Sequence, residues 1–165
     1  MEMKREYLSE PIVGIIAPAG YGKTEEIVDA VNFCLDRQLI LTHTRAGVTA
    51  LRDRMKRKQI KNEKFEIDTI ASFCMKWCKA YPATSGVQLP DTIREIDYLA
   101  IYKGAKKLFS YSWVREVLRQ SYSGLFVDEY QDCTESQHAI FMELKDLFPI
   151  RIFGDPLQGI FYWVK

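Results

Sequence analysis

A glycine-rich segment follows the first apolar run and has the composition of a phosphate-binding loop. It consists of Ala17, Pro18, Ala19, Gly20, Tyr21, Gly22, Lys23 and Thr24. Phosphate oxygens need converging backbone N–H groups with no Cβ atoms in the way, which the glycines permit, and a helix beginning near Lys23 adds its positive dipole end. We expect Lys23 to reach the β- and γ-phosphates of a nucleotide and the Thr24 hydroxyl to bind Mg²⁺. The pattern normally opens with glycine, from which Ala17 departs.

Two adjacent carboxylates could supply the rest of a phosphoryl-transfer site. Asp128 and Glu129 directly follow the apolar run 125–127. In open α/β sheets ligands bind at the carboxyl ends of the strands, which is where these side chains must lie. We expect Asp128 to hold Mg²⁺ through water. Glu129 would orient or deprotonate the attacking water, because phosphoryl transfer depends mostly on positioning and charge stabilisation.

Each motif also has a simpler explanation. A glycine-rich segment can be an ordinary strand-to-helix turn, and an Asp-Glu pair can be a solvated acidic turn. Their occurrence in one chain, each after an apolar run, favours a nucleotide site over both alternatives.

The elements that must position these residues alternate along the chain. Apolar runs predict strands over residues 11–17, 38–42, 65–67, 124–127 and 150–153. Helical spacing predicts helices over residues 23–35, 46–58, 69–79, 91–109 and 112–122, with a proline- and glycine-containing loop over 81–90. Asp91 or Thr92 is expected to cap the fourth helix. This alternation predicts an α/β fold with a mostly parallel sheet flanked by helices.

Composition restricts the class of protein. The chain has 165 residues, 47% hydrophobic and 27% charged, which suits one globular domain and excludes a disordered or collagen-like chain. A net charge of +1 argues against nucleic-acid binding through bulk charge and leaves a local basic patch open. The four cysteines form no Cys-x-x-Cys pair, and no apolar run reaches the ~18 residues of a membrane span. We therefore expect reduced thiols, a cytoplasmic location and no membrane partner.

Two later segments carry a resemblance to a known family. Residues 128–132 read Asp-Glu-Tyr-Gln-Asp, and residues 154–163 read Gly-Asp-Pro-Leu-Gln-Gly-Ile-Phe-Tyr-Trp. They resemble motifs II and III of the UvrD/Rep-like superfamily 1 DNA helicases, and residues 41–55 and 68–74 resemble motifs Ia and Ib. The resemblance implies that residues 1–165 form the first RecA-like lobe of such a helicase. That lobe is a three-layer P-loop NTPase with Walker A and Walker B motifs, here with a short helical insertion over residues 82–123.

The resemblance also implies roles for individual residues. It places residues 17–24 on the phosphates of ATP, assigns Mg²⁺ to Thr24 and Asp128, makes Glu129 the catalytic base and lets Gln158 sense the γ-phosphate. The residues that it assigns to single-stranded DNA are Thr42, His43, Thr44, Arg45, Thr69, Ser72, Phe73, Phe161 and Trp163. Bases stack on aromatic rings without sequence preference, so Trp163, with Phe161 and His43, would be the platforms.

Two of these surfaces have open alternatives. The aromatic run 161–163 could instead pack as a terminal strand in the core. A basic stretch could follow phosphates, although a solvated helix face is the favoured interpretation. This stretch consists of Arg52, Arg54, Lys56, Arg57, Lys58, Lys61 and Lys64.

Several positions depart from the family pattern. Residues 1–10 contain no glutamine to recognise adenine, Ala71 stands where the family commonly has histidine, and Val164 and Lys165 replace an Arg-Gly pair. The sequence ends after motif III, so we expect the second lobe and its arginines to come from a longer protein or a partner chain. An arginine finger contributes about 10³ to 10⁵ in rate, so the isolated lobe is expected to hydrolyse ATP weakly or not at all.

The sequence therefore predicts the ATP-binding lobe of a helicase-type ATPase that uses Mg²⁺ and moves on single-stranded DNA when completed by a second lobe. The alternative is a non-catalytic nucleotide-binding or protein-interaction module derived from a helicase. A small P-loop kinase is disfavoured, because such an enzyme needs an arginine-rich lid and only Arg151 follows Asp132.

Overall fold

A parallel five-stranded sheet forms the centre of the molecule. The computed structural model describes residues 6–16, 20, 22–90, 92 and 95–155. The strands are β1 (Ile12–Ile16), β2 (Gln38–Thr42), β3 (Phe65–Thr69), β4 (Gly124–Val127) and β5 (Ile150–Gly154). They are ordered β1-β5-β4-β2-β3, and every neighbouring pair is parallel. The predicted α/β class is confirmed, and all carboxyl ends of the strands meet at one edge of the sheet.

Helices follow the strands and depart from the predicted pattern in three places. They are α1 (Lys23–Phe33), α2 (Arg45–Arg57), α3 (Ile70–Ala80), α4 (Pro82–Ser85), α5 (Tyr98–Phe109), α6 (Ser112–Ser121) and α7 (Glu135–Leu144). The predicted loop 81–90 contains α4, which begins with a proline as short helices often do. The fourth predicted helix begins at Tyr98, because Asp97 rather than Asp91 or Thr92 provides its cap, accepting the Ala100 N–H. Helix α7 was not predicted, although Thr134 and Gln137 form a capping box at its start.

Two buried clusters, one on each face of the sheet, make the fold three-layered. Side chains of a strand point alternately to opposite faces. Ile40 of β2 and Phe126 of β4 therefore pack with α1 and α2, whereas Leu39, Leu41 and Leu125 pack with α3, α5, α6 and α7. The central strands β2 and β4 are buried along their whole length, as their continuous apolar sequences predict.

The segment expected to form a helical insertion contains α4, α5 and α6. Side chains of α5 and α6 belong to the same buried cluster as β2 and β4, so these helices pack as part of the main core. That residues 82–123 are an insertion remains a prediction. No helix within the described ranges is both long and apolar enough to cross a membrane.

Candidate functional site

The turn before α1 presents a lysine at the carboxyl edge of the sheet. Gly22 precedes the helix with a φ of 81°, a left-handed conformation in which a side chain would be strained. Lys23 is the first residue of α1 and is only 7% exposed. The free backbone N–H groups of this first helical turn and the positive end of the helix dipole lie at this same edge, where both would favour an anionic group.

The end of β4 brings two carboxylates to that edge. The N–H of Asp128 donates to the Leu41 carbonyl at 2.9 Å, which continues the pairing with β2 by one residue. The Asp128 carboxylate accepts the N–H of Glu129 at 3.0 Å. Glu129 has a φ of 54°, a left-handed conformation that is uncommon outside glycine and costs about 1–2 kcal/mol. Such strain is typical of functional sites, where the surrounding structure maintains it.

The lysine and the second carboxylate form an ion pair. Lys23 Nζ lies 3.3 Å from Glu129 Oε2, although the two residues are 106 positions apart in the chain. The lysine side chain is 6% exposed and the glutamate side chain 39% exposed. The fold therefore brings the two motifs together, with the carboxylate on the solvent side of the ammonium group.

The buried carboxylate of Asp128 has an unusual affinity for protons. Burial, and secondarily the negative charge of Glu129, raises its pKa from 3.8 to about 6. A positive ion near this carboxylate would relieve the same electrostatic penalty.

A cavity of about 540 Å³ lies beside the two carboxylates and is open to solvent. Thr24, Asp128 and Glu129 contribute oxygen atoms to its lining. No group of three or more His, Cys, Asp or Glu side chains that could hold a metal occurs in the described part of the chain. Mg²⁺ is commonly bound through only one or two carboxylates, because waters and substrate phosphates supply its remaining ligands. The oxygen donors present fit Mg²⁺ bound together with a nucleotide.

Gln131 links the carboxylates to the end of β5, a contact that the sequence analysis did not predict. Its Nε2 donates to Glu129 Oε2, and its Oε1 accepts the N–H of Asp155 at 3.0 Å. A backbone N–H can only donate, so this contact determines which end of the amide faces Glu129. The signal was present, because Gln131 belongs to the Asp-Glu-Tyr-Gln-Asp segment, but no role was assigned to it.

The residues after β2, which the resemblance assigns to DNA, lie beside the carboxylates. Thr42, His43 and Thr44 line the same cavity as Thr24 and Asp128. Thr42 is 1% exposed, whereas His43 and Thr44 are exposed. Thr44 also caps α2 by accepting the Gly47 N–H at 3.0 Å. Arg45 begins α2 and is exposed.

The residues after β3 have mainly structural contacts. Thr69 caps α3 by accepting the Ser72 N–H at 3.0 Å, and the two hydroxyl groups are bonded at 2.9 Å. Phe73 is 2% exposed, and its ring centroid lies 5.9 Å from that of Phe109. A ring buried in this way has no face for a base to stack on, and we assign Phe73 to the core instead.

Several predicted site residues lie outside the described part of the chain. They are Ala17, Pro18, Ala19 and Tyr21 of the glycine-rich segment and Gln158, Phe161 and Trp163 near the end.

The fold and the site together define a class of protein. A parallel α/β sheet with a glycine-rich turn after β1 and an Asp-Glu pair after β4 is the architecture of a P-loop NTPase. Comparison with known families then identifies the chain: residues 2–162 match the AAA domain family, and the chain belongs to that family. Its resemblance to UvrD/Rep-like helicases is confirmed.

A curated relative supports this assignment over part of the chain. Over 77 residues the sequence is 36% identical to the Gabija protein GajB of Bacillus cereus (strain VD045). The aligned part covers 39% of this chain and 16% of the length of that protein.

Proposed function

We propose that the chain is the ATP-binding N-terminal lobe of a UvrD/Rep-like DNA helicase. In this proposal the lobe couples binding and hydrolysis of Mg-ATP to movement along single-stranded DNA once a second RecA-like lobe completes it. That lobe belongs either to the same longer protein or to a partner chain. The observation that carries the proposal is the convergence of Thr24, Asp128 and Glu129 on one open cavity at the carboxyl edge of the sheet, with Lys23 paired to Glu129.

The ion pair supports a specific order of events at the site. In the structure the Lys23 ammonium contacts Glu129 Oε2. An incoming nucleotide would give the ammonium its phosphate oxygens as partners. Glu129 would then be released from the lysine while Gln131 still holds it, free to accept a proton from the attacking water. Bound Mg²⁺ would neutralise charge on the phosphates, with Thr24 and Asp128 as its protein ligands.

The DNA part of the proposal rests on the residues after β2. His43, Thr44 and Arg45 are exposed beside the nucleotide cavity. A single DNA strand bound along this edge would therefore lie close to Asp128 and Glu129, and a rearrangement of these carboxylates could be transmitted to it directly. The proposed role of Gln158 as a sensor of the γ-phosphate, and those of Phe161 and Trp163 as stacking platforms, rest on the family resemblance.

Nucleotide binding by the purified chain tests the proposal most directly. Titration of a fluorescent ATP analogue with Mg²⁺ is compared for the wild type, Lys23→Ala and Glu129→Gln, with Lys107→Ala as a control on an exposed lysine of α5. Loss of a charge-assisted contact to phosphate should weaken binding about 10- to 100-fold in Lys23→Ala. Glu129→Gln should bind at least as tightly as the wild type, because it frees Lys23.

Hydrolysis with and without single-stranded DNA then separates the two functional interpretations. DNA-stimulated turnover that disappears in Glu129→Gln supports a working motor lobe. Nucleotide binding without turnover under every condition favours the non-catalytic module derived from a helicase. A wild-type chain that binds no nucleotide contradicts both.

A further inference from the structure

The basic residues in the second half of α2, together with Lys58 at its C-cap, divide between two faces of that helix. Arg54 Nε lies 3.6 Å from Glu25, and Lys58 contacts both Glu25 and Asp29, so these cations are paired with acids of α1. Arg52 and Lys56 occupy another face, since residues four apart in a helix are neighbours. The basic stretch is therefore not one uniform solvated face.

Arg52 and Lys56 line a second cavity, which we name the β3 groove. It has a volume of about 760 Å³ and lies beside β3, the outermost strand of the sheet on the side away from β1. Its charged lining is Arg37, Arg52, Lys56, Lys61 and Lys76 against Asp53 and Glu66. This concentration of positive charge stands out in a chain whose net charge is only +1.

Some of these cations are already neutralised. Arg37 lies 3.0 Å from Glu66, which also accepts the Tyr122 hydroxyl at 2.7 Å. Lys76 contacts Asp68 and lies 3.6 Å from Glu66. These ion pairs neutralise the positive charges of Arg37 and Lys76 at one end of the groove.

The cations at the other end remain available to a ligand. Arg52 donates to the Ile67 carbonyl at 3.0 Å and forms no ion pair with a carboxylate among the described residues. Lys56 likewise has no carboxylate partner in that part of the chain. Lys61 lies 3.6 Å from Glu63, but both side chains are more than three-quarters exposed, so this pair contributes little.

The remaining lining indicates the chemical class of the ligand. Phe65 and Ile60 provide an apolar and aromatic surface next to the cations. The Arg52 guanidinium donates to the Ile67 carbonyl on the free edge of β3. Because an added β-strand would need that carbonyl as an acceptor, this contact disfavours strand addition at this position. Phe65 is half-buried, with its ring packed against the core on the α1 and α2 side of the sheet. Basic side chains beside an aromatic ring can hold a nucleic-acid strand through phosphate contacts, with base stacking on the accessible part of the ring.

We propose that the β3 groove binds the phosphodiester backbone of a nucleic-acid strand through Arg52, Lys56 and Lys61. The site lies near the start of β3, whereas the DNA contacts implied for Thr69 and Ser72 lie at its end. It goes beyond the proposed function, because it is a separate site that requires no nucleotide.

Charge reversal in the groove tests the inference. Binding of labelled single-stranded and duplex oligonucleotides is followed by fluorescence anisotropy for the wild type and for Lys56→Glu/Lys61→Glu. The matched control is Lys103→Glu/Lys106→Glu, which makes the same charge change at exposed positions of α5. All four lysines are exposed, and thermal melting checks that each variant is folded.

The groove variant should bind roughly tenfold or more weakly at low salt, and the control should bind like the wild type. The slope of log K against log salt for a single strand should become shallower by about 1.4 in the groove variant, since each lost phosphate contact contributes about 0.7. An equal loss of oligonucleotide affinity in both variants would indicate that only the overall charge of the chain matters. Unchanged affinity in both variants would mean that the groove does not bind the oligonucleotide. Either result overturns the inference. Displacement of the oligonucleotide by polyglutamate at equal charge concentration would assign the groove to an acidic polypeptide instead.

A nucleotide titration of the same samples keeps the two proposals distinguishable. Lys23→Ala should bind the ATP analogue about 10- to 100-fold more weakly and keep its oligonucleotide affinity. Lys56→Glu/Lys61→Glu should lose oligonucleotide affinity and bind the ATP analogue like the wild type. Failure of the wild type to bind nucleotide would contradict the proposed function and leave the oligonucleotide result standing.

Discussion

Replacing Asp128 with asparagine should stabilise the folded chain at neutral pH. Asp128 is 3% exposed, and burial together with Glu129 raises its pKa from 3.8 to about 6. Asparagine removes the buried charge and keeps an oxygen that can accept the Glu129 N–H. The proposed function needs Asp128 to bind Mg²⁺, yet without Mg²⁺ and nucleotide the folded chain would be more stable with asparagine at this position.

The magnitude follows from the pKa. One pKa unit corresponds to about 1.36 kcal/mol, so a rise of about two units lowers the free energy of unfolding at neutral pH by about 3 kcal/mol. A raised pKa means that the folded state binds the proton more tightly. The stability associated with the protonated carboxyl is fully present below pH 3.8 and is lost as the pH rises through about 6. The advantage of the variant should thus be largest above pH 7 and fall to about 1 kcal/mol near pH 4.5.

Urea denaturation in EDTA, without nucleotide, measures this difference at pH 7.5 and pH 4.5. With a urea dependence of about 2 kcal/mol/M, the midpoint for Asp128→Asn should rise by about 1.5 M at the higher pH and about 0.5 M at the lower. The control is Asp132→Asn, an exposed carboxylate in the same segment, which should shift neither midpoint. A lower midpoint for Asp128→Asn at pH 7.5, or a shift of the same size at both pH values, would refute the electrostatic argument. Addition of Mg²⁺ and nucleotide should then stabilise the wild type and leave Asp128→Asn unchanged.

Two further predictions concern neighbouring contacts. Gly47→Ala should lower the free energy of unfolding by about 1–2 kcal/mol, because its Cβ would lie 2.6 Å from Oγ1 of the buried Thr42; thermal denaturation should show no such loss for Gly14→Ala, where nothing lies within 4 Å. Equal losses in both variants would contradict this. Gln131→Met should accelerate hydrogen exchange of the Asp155 amide about tenfold in NMR spectra, since it removes the acceptor of that N–H. Unchanged exchange would mean that the bridge does not exist in solution.

Local patterns predicted the sheet well. The continuous apolar runs of β2 and β4 predict buried central strands, and both strands lie where the runs do. The placement of Lys23 and Glu129 at one edge also followed from sequence, because Lys23 begins the helix that follows β1 and Glu129 lies two residues after the end of β4. That inference needed no knowledge of which strands are neighbours.

Contacts that depend on tertiary structure could not be predicted. The bridge from Gln131 to Asp155 requires that β4 and β5 be adjacent, which no local pattern reveals. The left-handed backbone of Glu129 is maintained by its surroundings rather than by its own preference. The burial of Phe73 depends on α5, whose Phe109 meets it from far along the chain.

The strand order also has a consequence for how the molecule is made. The partner of β1 in the sheet is β5, with Ile12 paired to Ile150. During synthesis β1 therefore has no partner in the sheet until all of the strands and helices described between it and β5 have left the ribosome. Pairing of ends so distant in sequence is slow and exposes apolar strands to aggregation in the meantime. Closure of β1 against β5 is then expected to be a late folding event, and the contact between Lys23 and Glu129 would form with it.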